Sequence, residues 1–432
     1  MTGYAWIGVV VCCLGIVFSF LRDKQAITPL TVFCGVWLMI LVFSGWNAYG
    51  ALYTPEGAAY RYILLATVCF VLGYALSECL LPGKYVALFW GRKPIAAQKH
   101  SPRYMVLYTV GIACLIIYAR DLLRLLPMVA QDFSLHRIQQ LRTENATDIV
   151  RGPLENAFVL LIAEPFMALI VAVTAVDFFW GRRDKFLLVL TAVLICLRVV
   201  SSGGRSAALH FLLYLVLAYA LKPTRKRRER ILFWGMLLLG IAAVGVMTVS
   251  RAGRNAIATL YHNFAMQPVM LEYWTEFVAE KELYGGGAAT LQGFFHALQY
   301  MLRNLLGFDL FPECVSAVAD TVTMTDDIWI RIGDRYTANA YTTVMWYLYY
   351  DFRLPGIGLG MLFFGVLAQR SRTKAVATGS QRTVCLYVFV CMLIFYTFAR
   401  SQLAYSKYAL ALVYLRFLVY KNESKEGILW RL

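Results

Sequence analysis

The chain of 432 residues is 60% hydrophobic, has a mean hydropathy of +0.61, and carries 41 Lys and Arg against 25 Asp and Glu, a net charge of +16. Its apolar residues gather in repeated runs of about 17 to 25, the length that crosses a bilayer, which excludes a soluble globular protein and leaves no separate soluble domain. The runs lack the alternation of a barrel, and backbone polar groups in lipid must be satisfied within the segment, so the expected fold class is all-α.

In chain order, spans are expected near 4–21, 30–46, 60–80, 104–126, 155–179, 186–200, 206–221, 231–250, 354–369, 383–400 and 403–420, which makes about 11 transmembrane helices in one integral-membrane domain, 1–432. The first run, Tyr4 to Leu21, has no basic residue before it and ends at Arg22, Asp23 and Lys24 without a small-residue cleavage site, so it reads as a retained helix and not as a signal peptide. The basic loops set the orientation: Arg22 and Lys24, Lys84 to Arg103, Arg182 to Lys185, Lys222 to Arg230, Arg370 to Arg382, and the tail from Lys421. They all fall on one side when the N-terminus lies outside and the C-terminus in the cytoplasm. The cytoplasmic side then holds 14 Arg and 10 Lys, and the rest of the chain 15 Arg and only two Lys, Lys281 and Lys407. Arginine tolerates partial burial better than lysine, which is one account of that bias. The other is that a planar, always charged, bidentate donor suits phosphate oxygens held near the membrane.

Three outer segments are long enough to build a site. The first, about Pro127 to Pro153, carries Arg137, Arg142, Glu144, Asp148 and Arg151 and reads as a short interfacial helix. The second is the large loop 251–337, in which Leu260 to Lys281 and Ala288 to Leu306 are apolar at helical spacing around the break Gly285-Gly286-Gly287, so two amphipathic helices are expected to cap the outer face. The third, 338–353, holds the aromatic run Tyr341 to Asp351, which parity places in the outer interface.

Ser201 to Arg205 breaks two apolar runs. Gly203 and Gly204 let backbone N–H groups approach an anion ahead of an electropositive helix N-terminus, with Arg205 at the mouth; the plain alternative is a Gly-Gly turn between helices. Ser250 to Asn255 brings Arg251 and Arg254 to the start of the large loop, where snorkelling explains their place but not their crowding. Arg331 and Arg335 stand near its end, and Arg400 sits at a tight hairpin between the last two spans. For proton transfer the outer candidates are His262, His296, Glu272, Glu276, Asp334 and Asp351, and the sequence selects no single base. Asp334 between Arg331 and Arg335 suits an ion-pair role. His262 in an otherwise apolar helix fits a structural histidine. Metal chemistry is not expected: the histidines are scattered, and Asp326-Asp327 reads as a solvated acidic pair. Eight of the ten cysteines lie in apolar runs and read as packing residues, so no disulfide framework is expected. The run Lys222 to Arg230 reads as a topology anchor on anionic membrane lipid, with no nucleic-acid role.

With these residues laid out, the chain resembles the Wzy-type O-antigen and oligosaccharide repeat-unit polymerases. The resemblance rests on Ser201 to Ala207 before a helix, on Asn339-Ala340-Tyr341-Thr342 through Tyr349-Tyr350-Asp351-Phe352 followed by Pro355-Gly356, and on Phe398-Ala399-Arg400. It implies a GT-C-like membrane glycosyltransferase of the bacterial inner membrane, working on undecaprenyl pyrophosphate-linked oligosaccharides at the periplasmic face without cofactor, nucleotide sugar or metal. It makes a chain-length regulator and a flippase candidate partners. It implies catalytic roles for Arg205, Arg254 and Arg400, with His262, Glu272 or Asp334 as base, and substrate-binding roles for Arg251, Arg142, Arg335, Gly203, Gly204 and Tyr341. Arg142 to Gly152 departs by one residue from the spaced Arg-to-Gly motif of some members. An O-antigen ligase, a transporter or flippase of lipid-linked sugar, and an envelope acyltransferase are the other readings; a transporter calls for charges along the middle of helices.

Overall fold

The computed structural model describes residues 3–48, 52–79, 100–129, 152–202, 206–252, 256–308, 311–334 and 336–422. Helices dominate. Among the described residues seven are long and apolar enough to cross a membrane: Gly3–Asp23, Pro29–Trp46, Ala58–Ser77, Tyr104–Arg124, Pro153–Trp180, Thr343–Thr378 and Gln381–Phe398. The chain is therefore an all-α, multi-pass membrane protein. The runs expected at 186–200, 206–221, 231–250 and 403–420 are helical as well, as Lys185–Ser202, Ser206–Leu221, Arg227–Ala252 and Ser406–Phe417. The chain divides into two compact units, one formed by Met1–Lys93, Ile257–Ala377 and Val390–Ala409, the other by Pro94–Ala256, Thr378–Phe389 and Leu410–Leu432.

In the first unit, helices α1 (Gly3–Asp23), α2 (Pro29–Trp46) and α3 (Ala58–Cys79) pack together. Helix α2 starts at a reciprocal cap: Thr31 N–H donates to the Thr28 hydroxyl at 3.1 Å and Thr28 N–H to the Thr31 hydroxyl at 2.7 Å, with Pro29 at the first position, where its missing N–H costs nothing. The Asp23 side chain, at the end of α1, is 2% exposed and therefore answered: Arg372 donates to it at 2.9 Å and the Tyr74 hydroxyl at 3.2 Å. Two glycines let α3 approach the long helix Thr343–Thr378 backbone to backbone. A Cβ on Gly73 would lie 2.0 Å from the Leu362 carbonyl oxygen, and one on Gly365 2.3 Å from that of Phe70.

The second unit holds α4 (Tyr104–Val129), α5 (Pro153–Phe158), a π-helical turn (Val159–Ala163), α6 (Glu164–Trp180), α7 (Lys185–Ser202), α8 (Ser206–Leu221) and α9 (Arg227–Ala252). Helix α4 packs on α7 and α8 on α6. A two-stranded pair, β1 (His100–Pro102) with β4 (Tyr420–Asn422), is antiparallel. Near one end Asp177 accepts from the Tyr104 hydroxyl at 2.5 Å and from Asp184 N–H at 2.9 Å, and Glu229 takes Lys222 at 2.8 Å together with Arg183. Farther along α6 and α7, Glu164 pairs with Arg198 at 2.7 Å, and Arg120 on α4 pairs with Glu155 on α5. The π-helical turn frees a carbonyl, and the Tyr414 hydroxyl donates to Leu161 O at 2.6 Å.

The large loop folds onto the first unit as α10 (Ala256–Ala265), α11 (Gln267–Glu280), α12 (Gln292–Tyr300), a second π-helical turn (Met301–Leu305), α13 (Glu313–Asp327) and a hairpin of β2 (Ile330–Arg331) with β3 (Thr337–Ala338). The single helix expected over 260–281 is thus two, divided at Met266, with Pro268 in the first turn of α11 where it is tolerated. Helix α14 (Thr343–Thr378) then runs on, bent at Phe352 and Arg353, and is followed by α15 (Gln381–Phe395) and α16 (Ser406–Phe417).

The aromatic run forms the first half of α14 and is buried within the protein. Trp346 and Tyr347 are fully buried and Tyr350 nearly so. The physical reason is that the loop helices supply its polar partners: Trp346 Nε1–H donates to Trp274 O at 3.0 Å, and the Tyr350 and Thr321 hydroxyls are 3.2 Å apart. Asp351 locks the loop to α14. Its carboxylate accepts from Ala289 N–H at 2.9 Å and Thr290 N–H at 2.8 Å, while Gly285 N–H donates to Tyr350 O at 3.0 Å. A Cβ on Gly285 would stand 2.4 Å from Asp351 Oδ1, so glycine is required there. Arg353, at φ 56° and ψ −144°, sends its guanidinium to Leu283 O at 2.7 Å and over the Tyr349 ring.

Candidate functional site

Two of the sequence stretches singled out above, Asn339 to Thr342 and Phe398 to Arg400, meet in the first unit although about 60 residues separate them. Helix α15 ends in a 3₁₀ turn, Tyr396–Phe398, and the following turn leaves the Ala399 carbonyl exposed to Thr342 N–H at 3.0 Å and Thr343 N–H at 3.1 Å. From the next residue the Arg400 guanidinium reaches back to Ala340 O at 2.5 Å and to Asp326 Oδ1 at 2.8 Å, lying 5.0 Å from the Tyr405 ring centroid. The Tyr405 hydroxyl donates to the other carboxylate oxygen of Asp326 at 3.2 Å. The last turn of α13 closes the ring of contacts, since Ala340 N–H donates to Thr325 O at 2.8 Å.

This junction is strained. Ala340 has φ 65° and Thr343, a β-branched residue, φ 59°, two left-handed conformations within four positions. Each costs of order 1–3 kcal/mol, and such outliers gather where surrounding structure holds a functional geometry. Thr342, Thr343 and Tyr347 are fully buried beside it, and their hydroxyl oxygens make no well-formed hydrogen bond among the described residues. Asp326, expected to be solvated, is the counter-ion of Arg400 instead; sequence could not bring a residue 74 positions away onto it.

The other predicted residues fall as follows. Tyr341 packs partly buried at the same junction. His262 is buried against the Tyr336 ring, centroids 4.2 Å apart, and burial holds its imidazole below the ordinary histidine range. Glu272 is buried and its Oε2 accepts from Glu56 N–H at 2.8 Å, which fixes the turn between α2 and α3 and leaves Oε1 without a hydrogen bond among the described residues. Its neighbour Glu276 is pushed above the ordinary carboxyl range, first by desolvation and then by Glu272, Glu56 and Glu280. Asp334 is exposed, and of the two arginines that flank it Arg331 donates to the Asp334 carbonyl oxygen at 3.1 Å and to Gly333 O at 3.4 Å, because the hairpin turns those carbonyls toward it. His296 Nδ1 stands 3.0 Å from the Ser406 hydroxyl. Asp351 is committed to the loop amides described above. Arg251 lies in the last turn of α9. Arg142, Gly203, Gly204, Arg205, Arg254 and Arg335, and most of the first outer segment, lie outside the described residues. Among the described residues no group of three or more His, Cys, Asp or Glu could hold a metal ion.

What the arrangement can do is hold an anion: a fixed guanidinium beside an aromatic ring, with an acid as its partner. The class of protein is a multi-pass helical membrane protein with a helical cap built from one large loop. No family model matches the chain, and neither the curated proteins nor the solved structures compared with it give a match.

Proposed function

We propose that this chain is an inner-membrane polymerase of undecaprenyl pyrophosphate-linked oligosaccharide repeat units, GT-C-like, with eleven crossings, the N-terminus in the periplasm, the C-terminus in the cytoplasm and the large loop on the periplasmic face. A hydroxyl of the incoming unit attacks the anomeric carbon of the growing chain, and undecaprenyl pyrophosphate leaves. The charge that develops on the departing diphosphate needs preorganised cations, and a fixed arginine outside bulk water is such a group. The observation that carries the reading is the junction of Asn339 to Thr342 with Phe398 to Arg400, parts of two of the three stretches on which the resemblance rests, around one braced guanidinium. Arg205, Arg251 and Arg254 are assigned to the same leaving group on the resemblance alone.

The test is the surface-polysaccharide ladder of cells lacking this protein, complemented with wild type or with Arg400→Ala at equal expression. The reading requires that deletion leave a single repeat unit on the acceptor and that Arg400→Ala fail to restore the ladder. Long lipid-linked chains not joined to core would establish the ligase instead. A transporter of lipid-linked sugar is the second reading, favoured by the Glu164–Arg198 pair within helical spans; it predicts repeat units trapped on the cytoplasmic leaflet.

A further inference from the structure

In the second unit, we infer that Glu164, Arg198 and Tyr118 form a site for an uncharged, hydroxyl-rich group, the chemistry of a neutral saccharide. The inference rests on the polymerase reading only for the source of that group, the sugar of a lipid-linked repeat unit. The three residues come from three helices and share one level. The Tyr104 hydroxyl and Asp184 N–H both donate to the Asp177 carboxylate, which ties α4, α6 and the start of α7 together at one end. Arg103, Arg182 and Lys185 mark that end as a membrane boundary. Tyr118 is 14 residues from Tyr104, Glu164 is 13 from Asp177 and Arg198 is 14 from Asp184. At about 1.5 Å per residue all three stand about 20 Å from the boundary, within a hydrocarbon layer about 30 Å thick. Glu164 pairs there with Arg198 at 2.7 Å, and the same guanidinium lies 5.5 Å from the Tyr118 ring centroid.

Three features point to an occupant. The pair is not sealed by protein: the side chains of Glu164 and Arg198 are 19% and 26% exposed, and charges at that level do not face hydrocarbon. Snorkelling carries a long arginine toward the interface, but the shorter Glu164 cannot follow, and the pair stays closed. Tyr118 is fully buried and its hydroxyl makes no hydrogen bond among the described residues, whereas buried hydroxyls are ordinarily completed. The π-helical turn ends directly before Glu164, and such turns recur at functional sites. The charges then select the ligand. An anion would compete for Arg198 and leave Glu164 partly buried and unpaired, and a cation would do the same to Arg198. A hydroxyl donates to the carboxylate and accepts from the guanidinium with the pair intact, and a sugar ring carries enough hydroxyls to serve Tyr118 as well.

The experiment uses the full chain in nanodiscs of neutral lipid, with binding read by saturation-transfer NMR. The probes are glucose, N-acetylglucosamine and rhamnose as neutral rings, glucuronate as an anionic ring and glucosamine as a cationic one, each against wild type, Tyr118→Phe, Glu164→Gln and Arg198→Gln. Wild type is expected to bind a neutral ring about 10-fold more tightly than either charged one. Tyr118→Phe weakens that binding by about threefold to tenfold. Glu164→Gln leaves the guanidinium uncompensated and shifts the preference to glucuronate, and Arg198→Gln shifts it to glucosamine. Absence of binding by every neutral ring marks a crevice that holds water only and overturns the inference. So does a wild type that prefers a charged ring, or Tyr118→Phe binding like wild type. Should the pair variants fail to fold, Tyr118→Phe, which keeps the ring and the ion pair, decides alone. Binding is read without turnover: neutral-sugar binding lost in Tyr118→Phe, in a protein whose deletion leaves the ladder intact, sinks the polymerase and keeps the site. A ladder that vanishes on deletion while no sugar binds here does the reverse.

Discussion

Removing the Asp351 carboxylate should open the Gly285 to Thr290 turn far more than it unfolds the rest of the protein. The side chain is 1% exposed and satisfies two loop amides, Ala289 N–H at 2.9 Å and Thr290 N–H at 2.8 Å. Asp351→Ala leaves the buried Ala289 donor and the part-buried Thr290 donor unmet, at up to about 1–3 kcal/mol each, so the turn should loosen by about 2–6 kcal/mol. At about 1.36 kcal/mol per decade that is roughly 30-fold to 10⁴-fold faster hydrogen exchange at those two amides. Asp351→Asn keeps one acceptor and should lose about half as much. Gly285→Ala supplies a second arm. Its Cβ would meet Asp351 Oδ1 at 2.4 Å, so alone it should cost about 1–3 kcal/mol through overpacking, whereas in the Asp351→Ala background most of that cost should vanish. The assay is exchange mass spectrometry of the nanodisc protein resolved to the 284–292 peptide. Unchanged exchange there in Asp351→Ala, or additive effects in the double variant, would refute the lock.

Burial depresses the His262 imidazole, so the unfolded chain binds a proton more readily than the folded one. The stabilisation is full above the ordinary histidine range of about 6.5 and declines as pH falls through the lower folded value. Melting curves between pH 7.5 and 5 should show that slope in wild type and a flatter one in His262→Gln. Arg353 combines a glycine-like backbone with donation to Leu283 O, so Arg353→Gly should cost about 1–2 kcal/mol and Arg353→Ala more, because alanine keeps the strain and loses the bonds; denaturation in which glycine is the worse substitute would contradict this. For Glu164 and Arg198, 19% and 26% exposed at the side chain, a double-mutant cycle with glutamine at each position should return a coupling of about 1–3 kcal/mol, between surface and buried pairs. Independent effects would show that the pair contributes nothing.

The spans were legible because a bilayer imposes one length and one composition, and Gly3–Asp23, Pro29–Trp46 and Tyr104–Arg124 follow the apolar runs closely. The loop was legible as amphipathic helix, and its break at Met266 is one that Pro268, two residues on, signals in the sequence. The burial of the aromatic run was not legible. Tyr and Trp suit an interface and a core equally well, and only the partners, Trp274 O and Thr321, distinguish them. Arg400 could be picked from its position in a polar break between apolar runs. Asp326 could not, because what joins it to Arg400 is the fold and not a spacing. The roles of Glu272 and Asp351 as acceptors for loop amides were likewise invisible, since a carboxylate that ends a turn looks in sequence like one that moves a proton.

The π-helical turn at Val159–Ala163 has a consequence for which residues can share a neighbour. Glu155 and Glu164 are nine residues apart, and at 100° per residue an unbroken α-helix would set them about 180° apart, on opposite sides. One extra residue taken up in the π turn removes about 100° of that, leaving the two acids within roughly a quarter turn. Arg120 on α4 and Arg198 on α7, helices that pack on each other, can then each claim one of them. Deleting a single residue from Val159–Ala163 would leave the acids eight residues apart in a regular helix, again about 80° around its axis, so both ion pairs would keep their phase while the carbonyl freed for Tyr414 is lost.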